Sequence, residues 1–253
     1  MDIIKKLAQE LTIKEEQAKA AVQLIDEGNT IPFIARYRKE MTGALNDETL
    51  RNLHERLLYL RNLEEKKEQV INAITEQGKM TDDLKKKILA AETLVAVDDL
   101  YRPYRPKKQT RATKAKEKGL EPLANILLLQ ATSKSMEEEA QSFVDEAKGV
   151  TNAKEALAGA KDIIAEMIAD KADYRKSIRN CTMKQGRLVV KAKDEKAESV
   201  YEMYYEFEEP IKKLAGHRVL ALNRGEKEKI LTVKVNAPEE EAMGWLQKQV
   251  ITK

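Results

Sequence analysis

One stretch combines the residue types that hold phosphate and stack on bases: YRPYRPKKQTRATKAKEKG, residues 101–119. It carries eight positive charges, Arg102, Arg105, Lys107, Lys108, Arg111, Lys114, Lys116 and Lys118, against the single negative charge of Glu117. The stretch is +7 in a chain of net charge +3, so the other 234 residues sum to −4. Guanidinium and ammonium groups neutralise phosphates, and a tyrosine ring stacks on an unpaired base or packs beneath an arginine. Pro103 and Pro106 fix φ and push the residues before them towards extended conformations. These features predict a stiff, exposed loop that is the most positive surface of the chain. Arg102, Arg105, Lys107, Lys108, Arg111 and Lys114 are the candidates for nucleic-acid backbone contact, with Tyr101 and Tyr104 as base-stacking groups. The competing reading is a solvated connector whose tyrosines pack inward.

The segment IPFIARYRKE, residues 31–40, raises a similar question. Phe33, Ile34 and Tyr37 have the spacing of a buried helical stripe, which would spread Arg36, Arg38 and Lys39 over the other sides. An amphipathic helix is the simpler reading of that segment, and nucleic-acid contact is the second.

No other constellation carries chemistry. The sequence contains no GxGxxG, Walker, GxSxG or HExxH motif. His54 and His217 are its only histidines and lie far apart in sequence; His54, beside Leu53, reads as a hydrogen-bonded structural residue. Cys181 is the one cysteine, which excludes an intrachain disulfide and a cysteine zinc cage. Asp98 and Asp99 are adjacent, so on a helix they point apart; they are expected to cap the next segment or pair with Arg102 or Arg105. The acidic triplets at 137–139 and 239–241 read as helix starts. A non-enzymatic protein with no catalytic residue, metal site or cofactor is therefore expected.

These residues must be positioned by helices. The composition is 35% charged and 5% aromatic with ten glycines and six prolines, a mixture that favours a mainly α protein. Two helices fill the first 27 residues, with Thr12 and Glu15 as a capping box for the second. Thr30 and Pro32 open a third, giving a helix-turn-helix-like bundle. A long helix starts at Asn46 or Asp47 and carries Leu50, Leu53, Leu57 and Leu60, then Val70, Ile71 and Ile74; Glu64 and Lys67 interrupt that seam, and Gly78 stops the helix. Thr81 caps a helix from 82 to about 91. Beyond the basic stretch come helices at 120–129, from Ser135 to near Gly149, and at 152–171. The last has Ala156, Gly159, Ala160, Ile163, Ile164 and Met167 on one stripe, small enough for another helix to approach closely. Short β-branched runs at 187–191 and 230–235 are expected to pair as strands, with a helix between them at 197–208. The segment 217–223 is open between helix and strand, and a last helix follows Pro238. The N-terminus lacks the apolar run of a signal peptide, and the apolar run Ile126 to Leu129 is too short to span a bilayer, so no membrane association and a cytoplasmic location are expected.

Three stretches carry a resemblance: GNTIPFIARYRKEMTGALNDETLR, DDLYRPYRPKKQTRATKAKEKGLEPLA and HRVLALNRGEKEKILTVKV. They resemble the N-terminal region of the Tex family of bacterial transcription accessory proteins, over nearly the whole chain and in the expected order. The resemblance implies a multihelical region of two α subdomains, the first helix-turn-helix-like, read here as residues 1–78 and 79–253. The second would hold the basic loop 101–119 and a small hairpin-like β element near its C-terminal end. It further implies that a nuclease-like fold, helix-hairpin-helix units and an S1-type domain follow in a full-length member; none of these is in this chain. The implied role is to scaffold nucleic-acid binding during transcription, with RNA ahead of DNA and weak binding by this region alone. A docking module for the transcription machinery, without nucleic-acid binding of its own, is the alternative. An exposed apolar stripe on the 50–74 helix would favour it.

Overall fold

The structure, a computed structural model, describes residues 1–106 and 108–252. It is mainly α, with thirteen α-helices and one small antiparallel sheet among the described residues. The chain divides into two compact units, Met1–Tyr104 and Arg105–Lys253.

The first unit is built on one long helix. α1 (Ile3–Leu11), α2 (Glu15–Asp26) and α3 (Ile31–Tyr37) precede α4 (Asp47–Glu76), and α5 (Asp82–Ala90) and α6 (Leu94–Tyr101) follow it. α4 is 30 residues long, roughly 45 Å at 1.5 Å per residue. The Asn46 side chain caps it by accepting from the Thr49 N–H at 2.7 Å. Its stripe of Leu50, Leu53, Leu57, Leu60, Leu63, Val70 and Ile74 is buried, and α1, α2, α3, α5 and α6 all pack on it. Lys67 lies on this seam and is 2% exposed. Its ammonium donates to Glu64 Oε1 and to the Leu89 carbonyl, both at 2.9 Å. The interruption read in the sequence is thus a buried charge with two acceptors. Glu64 also accepts from the N-terminal amine at 2.8 Å.

Three expectations for this unit need correction. Thr12 does not cap α2: it ends α1 in the left-handed region, at φ 55°, with its own N–H on the Ala8 carbonyl. Lys14 is the N-cap instead, and Gln17 accepts from the Lys14 N–H at 3.1 Å. Second, Ile34 is the one buried side chain of α3; Phe33 is half-buried and Tyr37 exposed. The helix ends at Tyr37, so the turn that would continue its stripe is not made. Third, the unit ends at Tyr104 rather than after Gly78, because Ile88 of α5 and Val97 of α6 share the α4 core. α6, which starts on a Thr93 cap that accepts from the Ala96 N–H at 3.2 Å, is fixed to α4 where the Leu94 N–H donates to Tyr59 Oη, also at 3.2 Å.

The second unit has two cores. α7 (Arg111–Glu117), α8 (Glu121–Leu129) and α9 (Met136–Gln141) surround α10 (Ala153–Ala169). α11 (Ala172–Gln185) then leads to a sheet of β1 (Arg187–Ala192), β2 (Glu206–Pro210) and β3 (Leu231–Asn236), with α12 (Gly216–Lys227) packed on β3 and α13 (Glu239–Val250) closing the chain. The strand order is β2-β1-β3, all antiparallel, with Val190 opposite Phe207 on one side and Val233 on the other. The expected pairing of 187–191 with 230–235 is present. The helix expected at 197–208 is not: a 3-10 turn at Glu202–Tyr204 leads into β2. There Glu206 and Glu208 are exposed and Phe207 faces the sheet core, the period-two alternation of a strand. The Ser135 helix stops at Gln141 rather than near Gly149, and residues 217–223 belong to α12.

Two outcomes follow for the first unit. Glu64→Ala leaves the Lys67 ammonium buried without its carboxylate and is expected to cost about 2 kcal/mol in urea titration. Lys67→Met keeps the volume, removes the charge and is expected to cost less; the reverse order would mean that Lys67 is held by packing alone. Arg56 donates to Glu10 at 2.5 and 2.8 Å, and Arg61 to Asp26 at 2.7 and 2.8 Å. These hydrogen bonds hold both carboxyls below their ordinary values of 4.5 and 3.8. Their stabilisation is full above those values and is lost as pH falls through the lower folded ones. The pairs are partly solvated, so each contributes less than about 1 kcal/mol. Urea midpoints at pH 6 and pH 3 should therefore differ less in an Arg56→Gln, Arg61→Gln double variant than in the wild type.

Candidate nucleic-acid interface

The basic stretch is not one loop. Tyr101 ends α6, Arg102–Tyr104 form a 3-10 turn, and Arg111–Glu117 are α7. The unit boundary divides the stretch after Tyr104, leaving Arg102 and both tyrosines in the first unit and Arg105, Lys108, Arg111 and Lys114 in the second. Lys107 lies outside the described residues. The prolines do not keep the whole stretch extended because Thr110 begins a helix. Its hydroxyl oxygen accepts from the Thr113 N–H at 3.0 Å, and its hydroxyl donates to Glu166 Oε2, also at 3.0 Å. The signal was present in the sequence: a threonine cap before an alanine- and lysine-rich run.

Tyr101 and Tyr104 are half-buried and pack against the first unit's core. The Tyr104 carbonyl accepts from the Gln77 side chain at 3.0 Å. This is the placement that the connector reading expected of the two rings. Arg102, Arg105, Lys108, Arg111 and Lys114 are all exposed.

α7 sorts its charges by burial. Ala112 and Ala115 are buried against α10, while Arg111, Lys114 and the capping Lys118, at i, i+3 and i+7, are exposed along one flank. The Arg111 side chain is 86% exposed and lies 3.4 Å from Asp162 Oδ1. Lys118 donates to the Gly149 carbonyl at 2.7 Å, and Lys116 sits 3.4 Å from Glu121. Lys114 makes no ion pair with a described residue. This cationic face is anchored from beneath, since a Cβ at Gly159 of α10 would stand 2.4 Å from Leu120 Cδ1 and 3.2 Å from Ala115 Cβ. The small-residue stripe read at 156–160 is thus the seat of α7.

The other singled-out residues are not brought into one site. His54 is half-exposed on α4, Cys181 is half-buried on α11 as a free thiol, and His217 is exposed on α12. Asp98 lies 3.5 Å from Lys66, and Asp99 is buried. Among the described residues, no three His, Cys, Asp or Glu side chains are grouped to hold a metal ion. No helix among them is long and apolar enough to cross a membrane.

Residues 1–75 match the family model of the Tex-like protein N-terminal domain, and residues 131–252 match that of the Tex central region. The basic stretch falls between the two matches. A Bacillus subtilis protein named as uncharacterized is 46% identical over 248 residues, 97% of this chain and 34% of its own length. The Transcriptional accessory protein Tex of Neisseria gonorrhoeae is 42% identical over 236 residues, 92% of this chain and 31% of its own length. Human S1 RNA-binding domain-containing protein 1 is 32% identical over 245 residues, 93% of this chain and 24% of its own. The chain therefore spans about a third of the length of its bacterial relatives.

The seating of α7 gives a direct test. Gly159→Ala gains helix propensity but drives a methyl into the 2%-exposed Leu120 side chain. Overpacking outweighs the roughly 1 kcal/mol of propensity, and a net loss of about 1–2 kcal/mol in urea titration is expected. A stabilised variant would show that α7 is loosely held.

Proposed function

The chain belongs to the Tex-like family, and on that premise we propose that it is the N-terminal helical module of a transcription accessory protein, acting in the cytoplasm. It scaffolds nucleic-acid binding during transcription and is not an enzyme. The observation that carries this reading is the exposed cationic flank of α7. Beside two buried alanines Arg111 and Lys114 are exposed, and Lys108 lies exposed just before the helix. Such side chains neutralise phosphates with little reading of base edges. Arg102 and Arg105 are exposed and belong to the same cationic stretch. RNA is placed ahead of DNA because a relative is named for an S1 RNA-binding domain. The docking alternative looked to an exposed stripe on the 50–74 helix, and those residues are core.

With about four charges on phosphate, the log of the binding constant is expected to fall against log salt with a slope of roughly −3 to −4. Affinity should be micromolar or weaker near physiological salt. Lys108→Glu, Arg111→Glu and Lys114→Glu together should abolish binding in fluorescence anisotropy while leaving the thermal midpoint unchanged, since all three side chains are exposed. Wild-type affinity in that triple variant would reduce the stretch to a solvated connector.

A further inference from the structure

The end of α3 presents an aromatic and cationic surface that the reading above does not use. The Tyr37 side chain is 65% exposed. Its ring centroid is 5.3 Å from that of the half-buried Phe33, with the planes tilted by 47°. The Arg38 guanidinium carbon lies 5.0 Å from the Phe33 centroid, on the same cluster. Arg36 and Lys39, neighbours of these residues in sequence, are exposed. Three positive charges and two rings thus lie within seven residues, Phe33 to Lys39, that contain no acid.

The surface is also rigid. Ile34, at 0% exposure, pins α3 from below. The turn that follows is closed by the buried Thr42, whose N–H and hydroxyl both donate to the Arg38 carbonyl, at 3.1 and 3.2 Å. The Gln17 carboxamide of α2 donates to the carbonyls of Thr42 and Gly43, at 3.2 and 3.0 Å. A backbone fixed this way leaves less to be ordered when a flat partner covers the ring.

We propose that Phe33, Arg36, Tyr37, Arg38 and Lys39 form a second contact for single-stranded nucleic acid, with an unpaired base stacked on Tyr37 and phosphates on Arg36 and Lys39. The chemistry selects that partner. Every base offers a π-face, and its backbone supplies the anions that three like charges need. A duplex keeps its base faces covered, and an acidic peptide offers charge without a face for the ring. The proposal rests on the nucleic-acid reading of the chain but not on α7.

The test measures binding of the 253-residue chain to a single-stranded RNA oligonucleotide, to a duplex of the same sequence and to polyglutamate, for wild type, Tyr37→Ala and Tyr37→Phe. Tyr37→Ala is expected to weaken single-strand binding about tenfold, the order of one stacked base. It should leave the salt slope, the duplex and polyglutamate affinities and the thermal midpoint unchanged, and Tyr37→Phe should bind as wild type does. Single-strand affinity unaltered in Tyr37→Ala overturns the proposal. So does an equal loss on the duplex or on polyglutamate, which would mark a general anionic or protein surface. If binding is lost in the charge-reversed α7 variant and unaltered in Tyr37→Ala, this proposal alone fails; a wild type that binds no oligonucleotide sinks both readings.

Discussion

A 30-residue helix exposed to water on all sides cannot keep seven large apolar side chains along one stripe, and α4 has just such a stripe. Each fully buried leucine there is stabilised by about 2 kcal/mol relative to exposure. Helices of seven to twelve residues are marginal in isolation, so α1, α2, α3, α5 and α6 owe their order to that stripe as much as it owes its burial to them. The one polar position on it, Lys67, is tolerable only because Glu64 and the Leu89 carbonyl receive its protons. The same bonds fix where α5 ends relative to α4, so a buried charge also sets a register.

The second unit solves the same problem with small residues. α10 offers Ala156, Gly159 and Ala160 where α4 offers leucine, so α7 comes close enough for two alanines to form its whole buried face. A seven-residue helix with so narrow an inner face leaves most of its circumference to solvent, and there lysine and arginine cost nothing in burial. The cationic side of α7 is thus a consequence of close packing beneath it, and the Thr110–Glu166 hydrogen bond holds its first turn to α10.

The basic stretch and the exposed aromatic ring of this protein lie in different segments, which composition did not suggest. The tyrosines of the most basic stretch pack on a core, whereas the exposed ring, Tyr37, sits in a segment with the spacing of an ordinary amphipathic helix. On the proposed reading α7 offers charge alone, whereas the end of α3 offers charge together with an exposed ring. Charge contacts set salt dependence and a stacked ring does not, so the two contributions have different physical signatures.

Local signals by themselves determined much of this molecule. The 3-4 spacing of Leu50 through Ile74 marked α4, Asn46 and Thr81 marked helix starts, the alanine and glycine stripe marked a close helix contact, and the β-branched runs at 187–191 and 230–235 marked a strand pair. Each depends on residues within a few positions of one another. What tertiary structure decided was what touches what. β2 escaped notice because its alternation spans only five residues and acquires meaning from β1 beside it. α6 starts on a local threonine cap, but a tyrosine hydroxyl 35 residues away ties it to α4. The fate of each aromatic ring was likewise settled at a distance: the spacing of Phe33, Ile34 and Tyr37 allowed a buried stripe, but α3 ends at Tyr37 and buries only Ile34. Spacing fixes which side chains share a face; only the packed chain fixes whether anything covers it.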